Sequence, residues 1–222
     1  IATLYGGSIT LSTPMLWALA FLGEFIIGGV TGIFLGASGA DIYMHDTYFV
    51  LAHFHYTFVP IAIIATFAAI YYWYPKMFGR KMNETWGKIH FWGTTVSFNG
   101  IFIPLFILGA GGQHRRIYNF QHYPDLAGAD MQDMRVFATL SLIVMLAFQV
   151  IFIVNFFVSL KRGEKAGNNP WKANTLEWVA TSPAPHGNFG PVMPEVYRGP
   201  YEYSVEGREE DYWPQNEKPS DS

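Results

Sequence analysis

The chain has 222 residues, a net charge of -3 and charged side chains at only 14 % of its positions, where soluble domains carry about 25 %. Aromatic residues reach 18 % and cysteine is absent, which excludes disulfides, thiolate chemistry and Cys-ligated zinc or iron-sulfur sites. No basic patch points to nucleic acid, and any metal must be held by His, carboxylate, Met or Tyr.

In chain order, four apolar runs have the length of about 20 residues that a membrane-crossing helix needs: 14–36, 47–73, 89–110 and 134–160. Trp17, Tyr72, Trp73, Tyr74, Trp86 and Trp92 fall near the span ends, where an interfacial aromatic belt is expected. Lys76, Arg80, Lys81 and Lys88 follow the second span, and Lys161, Arg162 and Lys165 follow the fourth. The positive-inside rule puts both regions on the cytoplasmic or matrix side and the loops 37–46 and 111–132 outside. From Lys161 onward the chain is polar and rich in proline, and it carries Glu206, Glu209, Glu210 and Asp211 near its end. Recurring aromatics in this stretch (Trp171, Trp178, Phe189, Tyr197, Tyr201, Tyr203, Trp213) suggest docking along another protein surface rather than disorder. The reading is all-α: a polytopic transmembrane helical bundle of four spans over 1–160 and an extended polar C-terminal tail over 161–222, facing inside and packing on neighbouring subunits. The chain opens on Ile1 without a charged start and a cleavable apolar run, and it reads as the continuation of something upstream.

The chemistry concentrates at the start of the second span, in His45-Asp46-Thr47-Tyr48 and His53-Phe54-His55-Tyr56. Helical neighbours two apart point about 200° from one another, so His53 and His55 look out of opposite sides of one helix and suit two separate metal centres. Imidazole is a common axial ligand of haem iron, and with no cysteine present haem between packed helices is the natural occupant. The alternative is a pair of interhelical hydrogen bonds. His45 and Asp46 offer an imidazole and a hard oxygen ligand for magnesium or manganese, with Asp41 in the same polar roof; alternatively Asp46 caps the span. Arg115 and Arg116, on the same outward side, could clamp carboxylates such as haem propionates, or pair with Asp125 or Asp130. Glu24 lies near the middle of the first span, where an unpaired carboxylate costs about 2.5–3.5 kcal/mol. It is either a proton-handling group or a protonated side chain bonded inside the bundle. Gly28, Gly29 and Gly32 read as close helix packing. His90, His114, His122 and His186 receive no role.

Together with Trp86-Gly87-Lys88-Ile89-His90-Phe91 and Gly111-Gly112-Gln113-His114-Arg115-Arg116, these motifs resemble subunit I of the haem-copper cytochrome c oxidases. The resemblance covers 1–161 and corresponds to the end of the eighth helix and helices nine to twelve of a twelve-helix subunit. It implies that His53 ligates the high-spin haem at which oxygen is reduced opposite copper, and that His55 ligates the low-spin haem. It further implies magnesium at His45 and Asp46, haem propionates at Arg115 and Arg116, and Asp41 near the propionates of the high-spin haem. The implied cofactors are haem A in low- and high-spin forms, copper held by ligands on the missing N-terminal half, and magnesium. The implied partners are that half of subunit I, the copper-bearing subunit II, subunit III, cytochrome c and the lipid of a bacterial inner (plasma) membrane. Phe106 stands where the family usually places a His, and Pro60 and Glu24 depart from its pattern. The tail sequence NPWKANTLEW at 169–178 is similar to that of bacterial oxidases. The implied activity is reduction of oxygen to water with electrons from cytochrome c and proton translocation. The alternatives are a quinol oxidase of the same superfamily, a non-catalytic di-haem electron-transfer cytochrome, and a purely structural bundle.

Overall fold

The computed structural model describes residues 1–123, 126, 128–202, 207 and 209–218. Asp125, Tyr203 and Glu206 lie outside that set. Regular structure among the described residues is helical: α1 (Thr13–Gly36), α2 (Ser38–Met44), α3 (Tyr48–Val59), a π turn (Pro60–Ile64), α4 (Ala65–Phe78), α5 (Glu84–Ala110) and α6 (Ala129–Arg162). Two isolated antiparallel bridges, Thr47 to His114 and Arg80 to Lys165, are the extended pairings present among those residues.

Among the described residues four helices are long and apolar enough to cross a membrane: Thr13–Gly36, Tyr48–Phe78, Glu84–Ala110 and Ala129–Arg162. They coincide with the four predicted spans, but the last three run several residues further. Apolarity counts only what meets hydrocarbon, whereas the i→i−4 ladder continues wherever backbone and caps allow it. Glu84 begins α5 and Lys161 and Arg162 end α6, charges of the signs that favour those helix ends. The second span passes through Pro60, which cannot donate a backbone bond. Ala65 N donates to Pro60 O five residues back, and this single π turn, Pro60–Ile64, begins at the proline and carries the helix on to α4.

The chain forms two compact units: Ser12–Ala69 with Glu84–Asn155, and Ile1–Leu11 with Ile70–Asn83 and Phe156–Ser222. In the first unit α3 packs on both α1 and α5. Gly28 lies against the Tyr56 carbonyl and Gly109 against the Phe49 backbone, so the helix axes approach where no side chain intervenes. Gly32 faces the His53 ring, while Gly29 faces open space and takes no part in this packing. The core joins Ala52 and Tyr56 of α3 to Phe98, Ile101 and Phe102 of α5. Trp17 belongs to the interior rather than to an interfacial belt. Its fully buried ring lies 4.9 Å from those of Phe67 and His90 and edge-on to Phe91, because the first turns of α1 pack against α5.

The second unit contains the tail. Trp171 Nε1 donates to Tyr72 O at 2.9 Å and Trp178 Nε1 to the Tyr72 hydroxyl at 2.8 Å. Lys76 Nζ donates to Asn168 O and Ala180 O and lies 4.9 Å over the Trp178 ring. Arg198 covers the Trp213 ring at 3.6 Å. Asn174 Oδ1 accepts from Trp213 N, and Asn174 Nδ2 donates to Asp211 O. Trp171, Trp178 and Trp213 are thus held within the chain itself, whereas Tyr201, Val192 and Met193 remain exposed.

Candidate functional site

The residues that sequence reasoning placed at the mouth of the second span sit around the N-terminus of α3. Thr47, not Asp46, is the N-cap. Its Oγ1 accepts from Phe49 N at 3.2 Å and donates to Met44 O at 2.6 Å, and the residue is buried. Asp46 cannot take that place because it turns the chain with φ +55°, in the left-handed region that Asp tolerates better than most residues. Thr47→Ala is expected to lower stability by about 1 kcal/mol, read as a lower thermal unfolding midpoint of the assembled protein.

His53 and His55 lie two turns further on and face different helices. His53 Nδ1 is 2.9 Å from Gly28 O and 3.2 Å from Thr31 Oγ1, both on α1. A carbonyl only accepts, so Nδ1 carries a proton, and in the neutral ring Nε2 keeps its lone pair. A Cβ on Gly32 would stand 2.8 Å from His53 Cε1, so the absence of a side chain there leaves the ring its place. His55 Nδ1 donates to Leu51 O at 2.7 Å, one turn back on its own helix. Its ring stacks on Phe102 of α5, with centroids 4.5 Å apart and planes at 21°. Both imidazoles are half-buried, and each has the form of a metal-ligating histidine: one nitrogen tied to a carbonyl, the other able to bind metal.

The outer cluster assembles because the loop after α5 is laced to the entry of α3. Tyr48 N donates to Gln113 O at 3.0 Å and Arg115 N to Asp46 O at 2.9 Å, beside the Thr47–His114 bridge. This brings Arg115 and Arg116 to Asp46. Arg116 Nη1 lies 3.8 Å from Asp46 Oδ1, with both side chains exposed. The partner of Arg116 is therefore Asp46 rather than Asp130, and Asp125 lies outside the described residues. Such an exposed pair contributes about 0–1 kcal/mol, so Arg116→Ala is expected to move the unfolding midpoint little. His45 Nδ1 donates to Asp41 O at 2.7 Å, which leaves its Nε2 free as well and shows Asp41 acting through its main chain. Among the described residues no group of three or more His, Asp or Glu converges to hold a metal ion. His45 and Asp46 can supply at most two ligands, which suits a magnesium ion that keeps waters and takes its other ligands elsewhere.

Several contributors carry no sequence signal. Thr31 is an ordinary span residue until α3 docks on it, and Gly28, legible as a packing glycine, gives no sign that its carbonyl holds His53. Gln113, fully buried, accepts from Arg135 Nη1 at 2.9 Å through Oε1 and ties the loop to α6. His90 lies among Trp17, Phe67 and Phe152 and bonds Gln149 at 3.2 Å. Phe106 stacks on Tyr56 and meets Phe49 edge-on, so aromatic packing occupies that position.

Residues 1–145 match the family model described as cytochrome C and quinol oxidase polypeptide I. The chain belongs to this family. It is 41 % identical over 220 residues to the alternative cytochrome c oxidase subunit 1 of Bradyrhizobium diazoefficiens, covering 99 % of this chain and 37 % of that protein. To cytochrome c oxidase subunit 1 of Cereibacter sphaeroides it is 44 % identical over 192 residues, 85 % of this chain and 33 % of the relative. For the Synechocystis subunit 1 the values are 41 % over 204 residues, 92 % and 36 %. The chain thus spans little more than a third of the length of these curated relatives. The fold is similar to a solved heme-copper terminal oxidase dimer, with TM-score 0.57 at 17 % identity over 68 % of this chain and 27 % of that one. As a member of the oxidase subunit I family with four apolar helices, the chain is an integral multi-pass membrane protein.

Proposed function

We propose that this chain forms part of the catalytic subunit of a respiratory terminal oxidase, with His53 as axial ligand of the high-spin haem and His55 as axial ligand of the low-spin haem. The observation that carries the reading is the pair itself. Two histidines on one membrane helix, held by main-chain carbonyls from two different places, each present a free Nε2, one on the α1 side and one on the α5 side. His53 makes the interhelical bond that the hydrogen-bonding alternative calls for, whereas that of His55 stays within its own helix, and both bonds use Nδ1 and leave Nε2 for a metal. The donor set fits haem: neutral imidazoles, apolar and aromatic surroundings, and no thiolate.

When bound, the haems together with copper supply electron transfer and reduction of oxygen to water, with electrons from cytochrome c and coupled proton translocation. The residues of this chain hold and orient. Gly28 O and Thr31 Oγ1 set the His53 ring and Phe102 stacks on that of His55. Arg115 and Arg116 stand ready to bind propionates as bidentate carboxylates. Among the described residues Arg116 pairs with an exposed aspartate, so little is lost when it exchanges partners. His45 and Asp46 hold magnesium, and Asp41 supports His45. Copper ligands come from the part of subunit I that the relatives have and these residues do not span. Haem A is the form expected for a cytochrome c oxidase. The assembly includes that part of subunit I, subunits II and III and a bacterial inner membrane. The tail 161–222 lies inside and offers Tyr201, Val192 and Met193 to neighbouring subunits.

A dithionite-reduced optical spectrum of the complex purified through this chain, with and without carbon monoxide, tests the reading. One low-spin band and one carbon-monoxide-sensitive haem are expected. Two low-spin haems insensitive to carbon monoxide would establish an electron-carrier cytochrome instead. The family's own description includes quinol oxidases, so turnover with reduced cytochrome c against turnover with a quinol separates those two donors, with cytochrome c expected.

A further inference from the structure

Glu24 is the buried acid to which the proposed activity gives no task. It lies inside the α1 span with only 5 % of its surface exposed. Its Oε1 accepts from Asn99 Nδ2 at 2.6 Å, and Asn99 Nδ2 also donates to Thr95 O at 3.0 Å. Asn99 Oδ1 accepts from the Tyr56 hydroxyl at 2.7 Å. Every hydrogen-bonding group of the Asn99 amide is thereby in use, and the chain of bonds has one direction: Tyr56 donates, Asn99 relays, Glu24 accepts. Glu24 Oε2 is buried and has no partner among the described residues.

This arrangement decides where a proton sits. A proton on Oε1 would meet the Asn99 N–H and displace it. An ionised carboxylate would be buried in a membrane helix with a single neutral donor and no cation bonded to it, which the apolar surroundings penalise heavily. The titratable group facing Glu24 from α3 is Tyr56, through Asn99. The α5 side contributes Asn99 and Thr95, and the π turn packed on α1 has no titratable residue. Asp41 of α2 lies beyond the C-terminal end of α1, on whose middle turns Glu24 sits. We propose that Glu24 is a proton-binding site within the membrane, neutral at rest, with its exchangeable proton on Oε2 and water as the carrier that delivers and removes it. The Asn99–Tyr56 pair orients the acid by pinning Oε1 as the carbonyl oxygen, which turns the O–H edge away from the bundle's own hydrogen bonds.

Infrared spectra of the whole purified complex in water and in heavy water test this independently of haem content. Expected is a carboxylic-acid C=O band that shifts down in heavy water and disappears in Glu24→Gln, a substitution that preserves shape and the Oε1 acceptor. Should Glu24→Gln fail to assemble, Asn99→Ala decides the question: it removes the donor to Oε1 and is expected to move the same band to higher frequency without abolishing it. Loss of a carboxylate band in Glu24→Gln with the carboxylic-acid region unchanged would overturn the proposal. So would an acid band that does not shift in heavy water, since that proton would be sealed in, or an acid band indifferent to the Asn99 change.

Discussion

In the assembled complex, His53→Ala is expected to abolish the carbon-monoxide-sensitive haem band and leave the low-spin band in place, while His55→Ala does the reverse. Oxygen uptake should fall by more than about 100-fold in either variant. Removing only an outer partner of a ligating histidine costs about 10- to 100-fold, and here the ligand itself is lost. The separation of the two effects rests on geometry. His53 is fixed from α1 by Gly28 O, and His55 is fixed from Leu51 O beneath a ring of α5, so neither substitution reaches the other's support. Loss of the same band in both variants would show that the two rings serve one centre and would sink the assignment.

Gly28→Ala is the second large effect, and it acts through packing. The new Cβ would stand 2.6 Å from Tyr56 O and 2.7 Å from its carbonyl carbon, with Thr57 Cγ2 at 2.9 Å. Two of these atoms are backbone of a packed helix and cannot swing aside, so α1 and α3 must part. Overpacking of this kind costs about 1–3 kcal/mol and sometimes more, against a gain in helix propensity of about 1 kcal/mol. A clear drop in the unfolding midpoint is expected, with a weakened carbon-monoxide-sensitive band because the Gly28 carbonyl also holds His53. Gly29→Ala, next along the same helix but with nothing within 4 Å of the new Cβ, should hold or raise the midpoint. Equal effects at both positions would show that helix propensity, not helix contact, governs this face.

The legible parts of this protein are those that depend on neighbours in sequence. The spans could be read because crossing a bilayer is a sum over about 20 consecutive residues, and the opposed directions of His53 and His55 because 3.6 residues make a turn. The family resemblance was legible for the same reason: its motifs are contiguous, and the match over residues 1–145 agrees with it. Where the reading missed, the deciding partner was distant or the backbone was unusual. Trp17 carries the marks of an interfacial residue until α5 covers it. Asp46 looks like a helix cap until its positive φ hands that role to Thr47. Gly28, Gly29 and Gly32 are indistinguishable in the sequence, yet only the first and last meet α3.

The sequence by itself determined the number of spans, the absence of thiolate chemistry, and which side chains could bind metal, because each follows from local composition and helical period. The tertiary structure alone decided which nitrogen of His53 stays free, since the carbonyl that accepts from its Nδ1–H lies 25 residues away on another helix. It likewise decided that Arg116 meets Asp46 and that Glu24 ends a chain of bonds from Tyr56. A hydrogen bond acts over about 3 Å, and which groups come within that reach is settled only when the helices pack.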